Sequence, residues 1–299
     1  MSNVLIIGAS LAGHTVAQKI REKDKEVQIT LVSAEKYPFY DKRKLPGLLA
    51  GEIKEKDIFL ADDDFYRQNT ITFLREKEAT AVNLQRRTAY FKDKNNLEYD
   101  FLVIACGVKP VLPDIPGARK PGSFLFYTLD DLKEFTKGII AHPVCLVSSD
   151  EASLILARAI TLRYKTEVKL ISRAPFDAAL IPQDVEVINV GLQEIIGEGE
   201  VQAIKLENGK AIGVCSVIFC DAFESNAGFL KSADIKTTDG FILVDEGMQT
   251  SAEGVFACGS VCVRPDGQRQ SKAWDEVINE SVSAADNIIK RMGEQCQTS

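Results

Sequence analysis

Apolar positions along this chain fall in short unbroken blocks set off by turn residues, and the blocks recur with helical stretches between them. NVLII (Asn3 to Ile7) reads as a strand, GASLAG (Gly8 to Gly13) follows at once, and helical spacing continues through Ile20. A second strand, VQITLVSAE, ends in Glu35. The same strand, tight turn and small-residue helix start returns in HPVCLVSSDEASLILARAI, from His142 to Ile160, followed by the strand EVKLISRAP. KDKNN (Lys92 to Asn96), ENGK (Glu207 to Lys210) and TTDG (Thr237 to Gly240) are hairpin turns, and ADDD (Ala61 to Asp64) is a solvated helix start whose carboxylates suit the N-terminal dipole. A further helix begins near Trp274, and the residues after Met292 are expected to be disordered. No repeat, low-complexity tract or long linker interrupts this order.

The 299 residues, 45% hydrophobic and 26% charged, bury a sizeable core and divide into two domains. A net charge of −7 argues against nucleic acid and against an anionic membrane surface as partners. No window approaches the roughly 18 apolar residues of a membrane span, and the N-terminus runs straight into a strand where a signal peptide would lie, so the expected location is cytoplasmic. Cys106, Cys145, Cys215, Cys220 and Cys296 read as small core hydrophobes. Cys258 and Cys262 are separated by three residues, one more than in a redox dithiol or zinc knuckle, so a dithiol or metal role is the minor reading.

Gly8 to Gly13 carries the first chemistry. Gly8 permits a tight turn, the amides of Leu11 and Ala12 at the helix start meet a pyrophosphate, and Gly13 lets helix and strand pack closely. Ser10 replaces the middle glycine, crowding the phosphate slightly and adding a hydroxyl. Glu35, about twenty residues beyond the loop, is placed to accept hydrogen bonds from a ribose. A plain βαβ turn is the bland alternative.

Two later stretches, LEYDFLVIACGVKP (Leu97 to Pro110) and TSAEGVFACGSVCV (Thr250 to Val263), resemble the FAD-domain signatures of the pyridine nucleotide-disulfide oxidoreductase family, in its rubredoxin and ferredoxin reductase branch. The first signature reads T-x-x-Y-D-x-L-V-(I/L)-A-T-G-x-x-P, matched by Tyr99, Asp100, Leu102, Val103, Ile104, Ala105, Gly107 and Pro110. The second ends in an apolar residue, an aromatic residue and then A-x-G-D, matched by Val255, Phe256, Ala257 and Gly259. EKYPFYDKRKLPGLLAGEI resembles the family's P-x-Y-x-R-P-x-L segment beside the flavin. Together these pieces span nearly the whole chain in the family's order.

The resemblance implies an α/β fold of two Rossmann-like dinucleotide-binding domains. A discontinuous FAD domain, residues 1–111 and 238–299, would carry an inserted, reduced NAD(P)H-type domain at 112–237. FAD would lie against Gly8, Ser10, Leu11, Ala12 and Gly13 with its pyrophosphate, and against Glu35 with its adenosine ribose. Lys42, in the family's arginine slot, would place a point charge near the phosphates, or is a surface lysine. Ala79 falls where the family touches adenine, or is a strand residue. Ala105, Cys106 and Gly107 would run along the FAD, and Gly259 and Ser260 would approach its ribityl chain. Trp274 lies where the family has an aromatic residue near the isoalloxazine, or is a core tryptophan.

Departures from the family pattern fall unequally. Ser260 replaces the terminal aspartate and weakens one charge-assisted hydrogen bond of roughly 1.5–3 kcal/mol. The main-chain cradle is left in place, so FAD is expected to bind. In the inserted domain the glycine motif has become Ser148-Ser149-Asp150-Glu151-Ala152-Ser153, with a carboxylate where backbone must approach a doubly charged pyrophosphate. Ser172 stands at the expected acid, Cys220 to Asn226 (CDAFESN) replaces A-x-G-x-x-P-N, and the stretch from Pro175 to Val185 is too short for the usual helix. That domain is expected to keep its fold without NAD(P)H, and Arg173 reads as a surface charge.

No cysteine lies between Tyr37 and Gly51 and no CxxC occurs, so thiol relay is not expected. The chain stops after the helix near Trp274, where reductases of this branch continue into a C-terminal dimerisation domain. His14 and His142 read as surface or packing residues. RPDGQRQ (Arg264 to Gln270) reads as an exposed basic turn that would dock an acidic carrier or merely be solvated. The function expected is that of an FAD-dependent electron-transfer oxidoreductase exchanging electrons with a ferredoxin- or rubredoxin-like protein or another subunit. A non-catalytic FAD-binding subunit and an NAD(P)H-dependent reductase with weak nicotinamide binding are the alternatives.

Overall fold

The computed structural model of the chain describes residues 2–138, 143–220, 222–265 and 272–297. Two compact units divide them. The first holds the chain up to Tyr40, Phe59–Val108 and everything from Ser225 onward; the second holds Asp41–Ile58 and Lys109–Glu224.

In the first unit a wholly parallel sheet runs in the order Val255–Ala257, Phe101–Ile104, Asn3–Ile7, Gln28–Val32, Ile71–Leu74. Parallel strands covered on both faces are apolar throughout rather than alternating, and Val4, Leu5, Ile6, Leu102, Val103 and Ile104 are all fully buried. Each such Leu or Ile contributes about 1.5–3 kcal/mol of burial. The strand Gln28–Val32 stops three residues before Glu35, shorter than the apolar run suggests.

The first helix, Leu11–Lys23, packs against the last, Trp274–Gln297. At the end of the first helix, buried Arg21 donates to the carbonyls of Asn69, Thr70, Asp24, Lys25 and Val27, so one guanidinium satisfies five chain-end acceptors. The last helix continues past Met292 to Gln297, against the expectation of disorder there. Val277, Ala284, Ala285, Ile288 and Met292 form a buried stripe at helical spacing that anchors the helix as far as Met292.

The second unit repeats the plan: Val185–Ile188, Val168–Ile171, Val144–Val147, Ser216–Phe219 and Ser123–Leu125 form another wholly parallel sheet. Its helix Ala152–Tyr164 follows the central strand. Between Pro175 and Val185 there is only a single 3-10 turn, Ala178–Leu180. The hairpin turns at 92–96, 207–210 and 237–240 all join antiparallel strands, and the helix Asp63–Gln68 is capped by the Asp62 carboxylate accepting from the Phe65 N–H at 2.8 Å.

The unit boundaries differ from those expected at 111/112 and 237/238. Asp41–Ile58 joins the second unit because its helix Leu45–Ala50 packs on Ala152–Tyr164, and Glu52 and Glu55 pair with Arg158 and Lys133. The chain re-enters the first unit at Ser225, since Ala227 and Leu230 are buried in that unit's core. Among the described residues no helix is long and apolar enough to cross a membrane.

Candidate functional site

Each unit places a strand, a tight turn and a helix start in the same order, and the two turns differ in what they offer an anion. In the first, the Gly8 N–H donates to Val32 O at 2.8 Å, and φ of +112° holds Gly8 in a conformation few L-residues adopt. A Cβ on Gly8 would lie 2.2 Å from Ala105 O, and one on Gly13 would lie 1.8 Å from Gly8 O. Both glycines are therefore required by backbone approaching backbone. The helix begins after Ser10, whose hydroxyl makes no capping bond. The amides of Leu11, Ala12 and Gly13 precede the first intrahelical bond, His14 N–H to Ser10 O, and no acidic residue lies in the first turn. Bare amides, the positive end of the helix dipole and an absence of carboxylates are what a pyrophosphate needs.

Of the other predicted residues of the first unit, Ala105, Cys106 and Gly259 come against this turn, and the rest make contacts of their own. Ala105, buried, donates its N–H to Ile7 O at 2.8 Å, and Gly107 takes a φ of +64°. Gly259, with φ of +79°, closes on the helix so tightly that a Cβ there would lie 2.9 Å from the Ala12 methyl. Ser260 follows it, half-buried. Trp274 opens the last helix with its ring 6.4 Å from Phe39, and Phe39 lies 4.7 Å from the His14 ring. Ala79 starts an antiparallel strand opposite Phe91 and packs on the core. Glu35 accepts from the Tyr40 hydroxyl at 2.6 Å. Lys42 is the exception: it belongs to the second unit, where its ammonium lies 4.4 Å from the centre of the Tyr127 ring.

His14 is a packing residue. It is buried among Phe39, Phe65 and Tyr66, and burial lowers its pKa to about 4. His142, and the segment Asp266 to Gln270 within the expected basic turn, lie outside the described residues. Cys258 and Cys262 are both buried. Burial pushes the Cys262 thiol up to about 12 and the Cys258 thiol higher still, away from the thiolate that dithiol chemistry requires. Cys106, beside the turn, is likewise pushed up to about 12 by burial.

Three contributors were not singled out by the residue pattern. Asn226 holds the crossover, its side-chain amide donating to Cys106 O at 2.9 Å and its N–H to Gly107 O at 3.0 Å. Although Asn226 falls within the span 112–237 expected for the inserted domain, it lies in the first unit. Glu280 and Lys272 hold Gly259: the Gly259 N–H donates to Glu280 Oε2 at 2.9 Å and Lys272 Nζ donates to Gly259 O at 3.1 Å. Glu280 lies seven residues before Asn287 on an ordinary amphipathic helix, and nothing local distinguishes it from a surface acid.

In the second unit the turn is filled from within. Ser148 is buried and its hydroxyl accepts from the Asp150 N–H at 3.1 Å. The Asp150 carboxylate then accepts from the N–H of Ala152, the first helical residue, at 2.9 Å. The amide that would face a phosphate is taken by the chain's own carboxylate, with Glu151 exposed beside it. Ser172 accepts from Ala174 N–H and donates to Ala174 O, closing the end of its strand, and Arg173 pairs with Glu207 on the surface. The first turn leaves its helix amides without a side-chain cap, whereas in the second a carboxylate already accepts one of them.

The chain matches the family described as pyridine nucleotide-disulphide oxidoreductase over residues 2–281. It is 29% identical to an NADH oxidase of Methanocaldococcus jannaschii over 87% of this chain and 62% of that protein. It is 25% identical to the ferredoxin–NAD(+) reductase subunit of a benzene 1,2-dioxygenase system of Pseudomonas putida, over 96% of this chain and 74% of that one. The fold superposes with a TM-score of 0.83 and 22% identity on a chain of a covalent putidaredoxin reductase–putidaredoxin complex, over 95% of this chain and 74% of the other.

Proposed function

Because this chain belongs to the pyridine nucleotide-disulphide oxidoreductase family, we propose that it is an FAD-dependent oxidoreductase of the cytoplasm. In this reading it exchanges electrons with a small redox protein of the ferredoxin or rubredoxin kind, or with another subunit, and has no working NAD(P)H site. Bound FAD supplies the redox chemistry, and the protein supplies position and polarity.

In this reading Gly8, Ser10, Leu11, Ala12 and Gly13 receive the pyrophosphate and Glu35 shares its carboxylate between Tyr40 and the adenosine ribose. Ala79 flanks adenine, and Ala105, Cys106 and Gly107 line the cofactor's length. Gly259 and Ser260 face the ribityl chain, and Trp274, stacked toward Phe39, borders the ring system. Lys42 would have to exchange the Tyr127 ring for the phosphates.

One observation carries the reading: the Asp150 carboxylate accepts the Ala152 amide at 2.9 Å in the second turn, whereas no side chain caps the helix that follows the first turn. A pyrophosphate entering the second turn would displace that carboxylate and meet its charge. The test is the absorption spectrum of the purified protein, followed by anaerobic mixing with NADH and with NADPH. A flavin spectrum that persists with both and bleaches with dithionite is expected. Colourless protein that takes up no added FAD overturns the cofactor.

The relatives named as an NADH oxidase and a ferredoxin–NAD(+) reductase subunit favour a second reading, in which nicotinamide is used with weak affinity. Rapid bleaching by either nucleotide selects it. Dithionite reduction without turnover with any carrier selects a non-catalytic FAD-binding subunit.

A further inference from the structure

A buried ion pair grips the backbone of Gly259 from both ends. Glu280 Oε1 accepts from Lys272 Nζ at 2.6 Å, while Oε2 accepts the Gly259 N–H at 2.9 Å; Lys272 Nζ also donates to Gly259 O at 3.1 Å. The two side chains are 12% and 4% exposed, so neither charge is screened by water. Cys262 Sγ, at 3.7 Å from the ammonium, completes its surroundings. Ala12 blocks Gly259 on the opposite side, where even a methyl group would not fit. The turn is thus held between a helix start and an ion pair, in a left-handed conformation that glycine adopts readily.

We infer that Lys272 and Glu280 are positioning residues for the cofactor: their ion pair fixes the Gly259–Ser260 turn against Ala12, and balances charge beside the flavin portion of bound FAD. The neutral Ser260 stands where the family signature carries an aspartate, and the balanced pair holds the residue before it. Breaking one partner leaves an uncompensated charge buried next to the turn, of opposite sign in the two cases. A group that merely stabilises the fold would weaken FAD binding in both variants without any dependence on sign. The inference rests on the proposed FAD site.

The test measures FAD affinity for the oxidised and the reduced cofactor in the wild type and in Lys272→Met, Glu280→Gln, Glu280→Asp and the double variant Lys272→Met/Glu280→Gln. Each single charge removal is expected to weaken oxidised FAD by about tenfold or more. Lys272→Met, leaving a carboxylate, should disfavour the reduced, more negative flavin by several-fold relative to the oxidised form, and Glu280→Gln should favour it by a similar factor. Glu280→Asp, with charge kept and reach shortened, should weaken FAD without changing that ratio; it also serves if either single charge removal fails to fold. The neutral double variant should recover affinity to within a few-fold of wild type. Shifts of the same sign in the two single variants, wild-type affinity in Glu280→Asp, or no recovery in the double variant each overturn the inference while the FAD site stands. A wild-type protein that takes up no FAD overturns both.

Discussion

The turn at Gly8 and the turn at Ser148 are the same construction with different chemistry at the helix start. Both follow the central strand of a wholly parallel sheet and both open a thirteen-residue helix. At Gly8 the absence of side chains lets Ala105 and Gly13 come in against the backbone and leaves the helix amides bare. At Ser148 the side chains turn inward: the Ser148 hydroxyl accepts the Asp150 N–H of the turn, and the Asp150 carboxylate accepts the N–H of Ala152, the first helical residue. The lesson is that a Rossmann-type unit keeps its fold without its glycines, because the sheet and helix cores hold it. What such a turn offers an anion depends on a few atoms at the helix start.

The largest effect is expected where glycine is required by backbone contact. Gly13→Ala should cost about 3 kcal/mol or more of stability, since its Cβ would meet Gly8 O and neither partner is a side chain able to move. Denaturant unfolding should show that loss together with loss of flavin retention. By contrast, Glu151→Ala in the other turn should stay within about 0.5 kcal/mol, because Glu151 is exposed and makes no side-chain capping bond. Similar losses at both sites would remove the contrast.

His14, which follows Gly13 in the first turn, predicts a pH dependence confined to one side of neutrality. Its folded pKa is lowered from 6.5 to about 4, so the folded state resists a proton that the unfolded chain accepts below 6.5. Its contribution is fully present above pH 6.5 and is lost as pH falls toward 4, by up to about 3 kcal/mol. Urea midpoints measured between pH 7 and 4 should fall more steeply in the wild type than in His14→Phe.

Asp150→Ala should cost about 1 kcal/mol as a lost helix cap, read by thermal unfolding. The same variant sharpens the functional contrast. Removing the carboxylate should raise the affinity for NADH or NADPH above that of the wild type, read by nucleotide fluorescence titration. Undiminished stability in this variant would mean the cap is not what fills the turn.

The runs NVLII, FLVI, VCLV and VFA announced their strands because buried parallel strands are apolar throughout. The glycine loop, the hairpins and the Asp62 helix cap were equally local and legible. Glu35 was found by its spacing, although its strand ends three residues earlier than the apolar run suggested. The roles of Asn226, Lys272 and Glu280 were not legible, because each acts on a backbone atom brought to it from elsewhere in the chain. Lys42 shows the converse: its motif matched, yet Asp41–Ile58 packs with the second unit through Glu52, Glu55 and the helix Leu45–Ala50.

Local chemistry in the sequence was enough to determine two parallel-sheet units and to separate a turn with bare amides from one bearing carboxylates. Backbone conformation and short-range sterics act within a few residues, and those a sequence states directly. Only the tertiary structure decided which buried charges pair, which carbonyls Asn226 and Lys272 hold, and where one unit ends. These depend on atoms distant along the chain meeting within about 3 Å, where exclusion of water makes each contact strong and no local pattern records it.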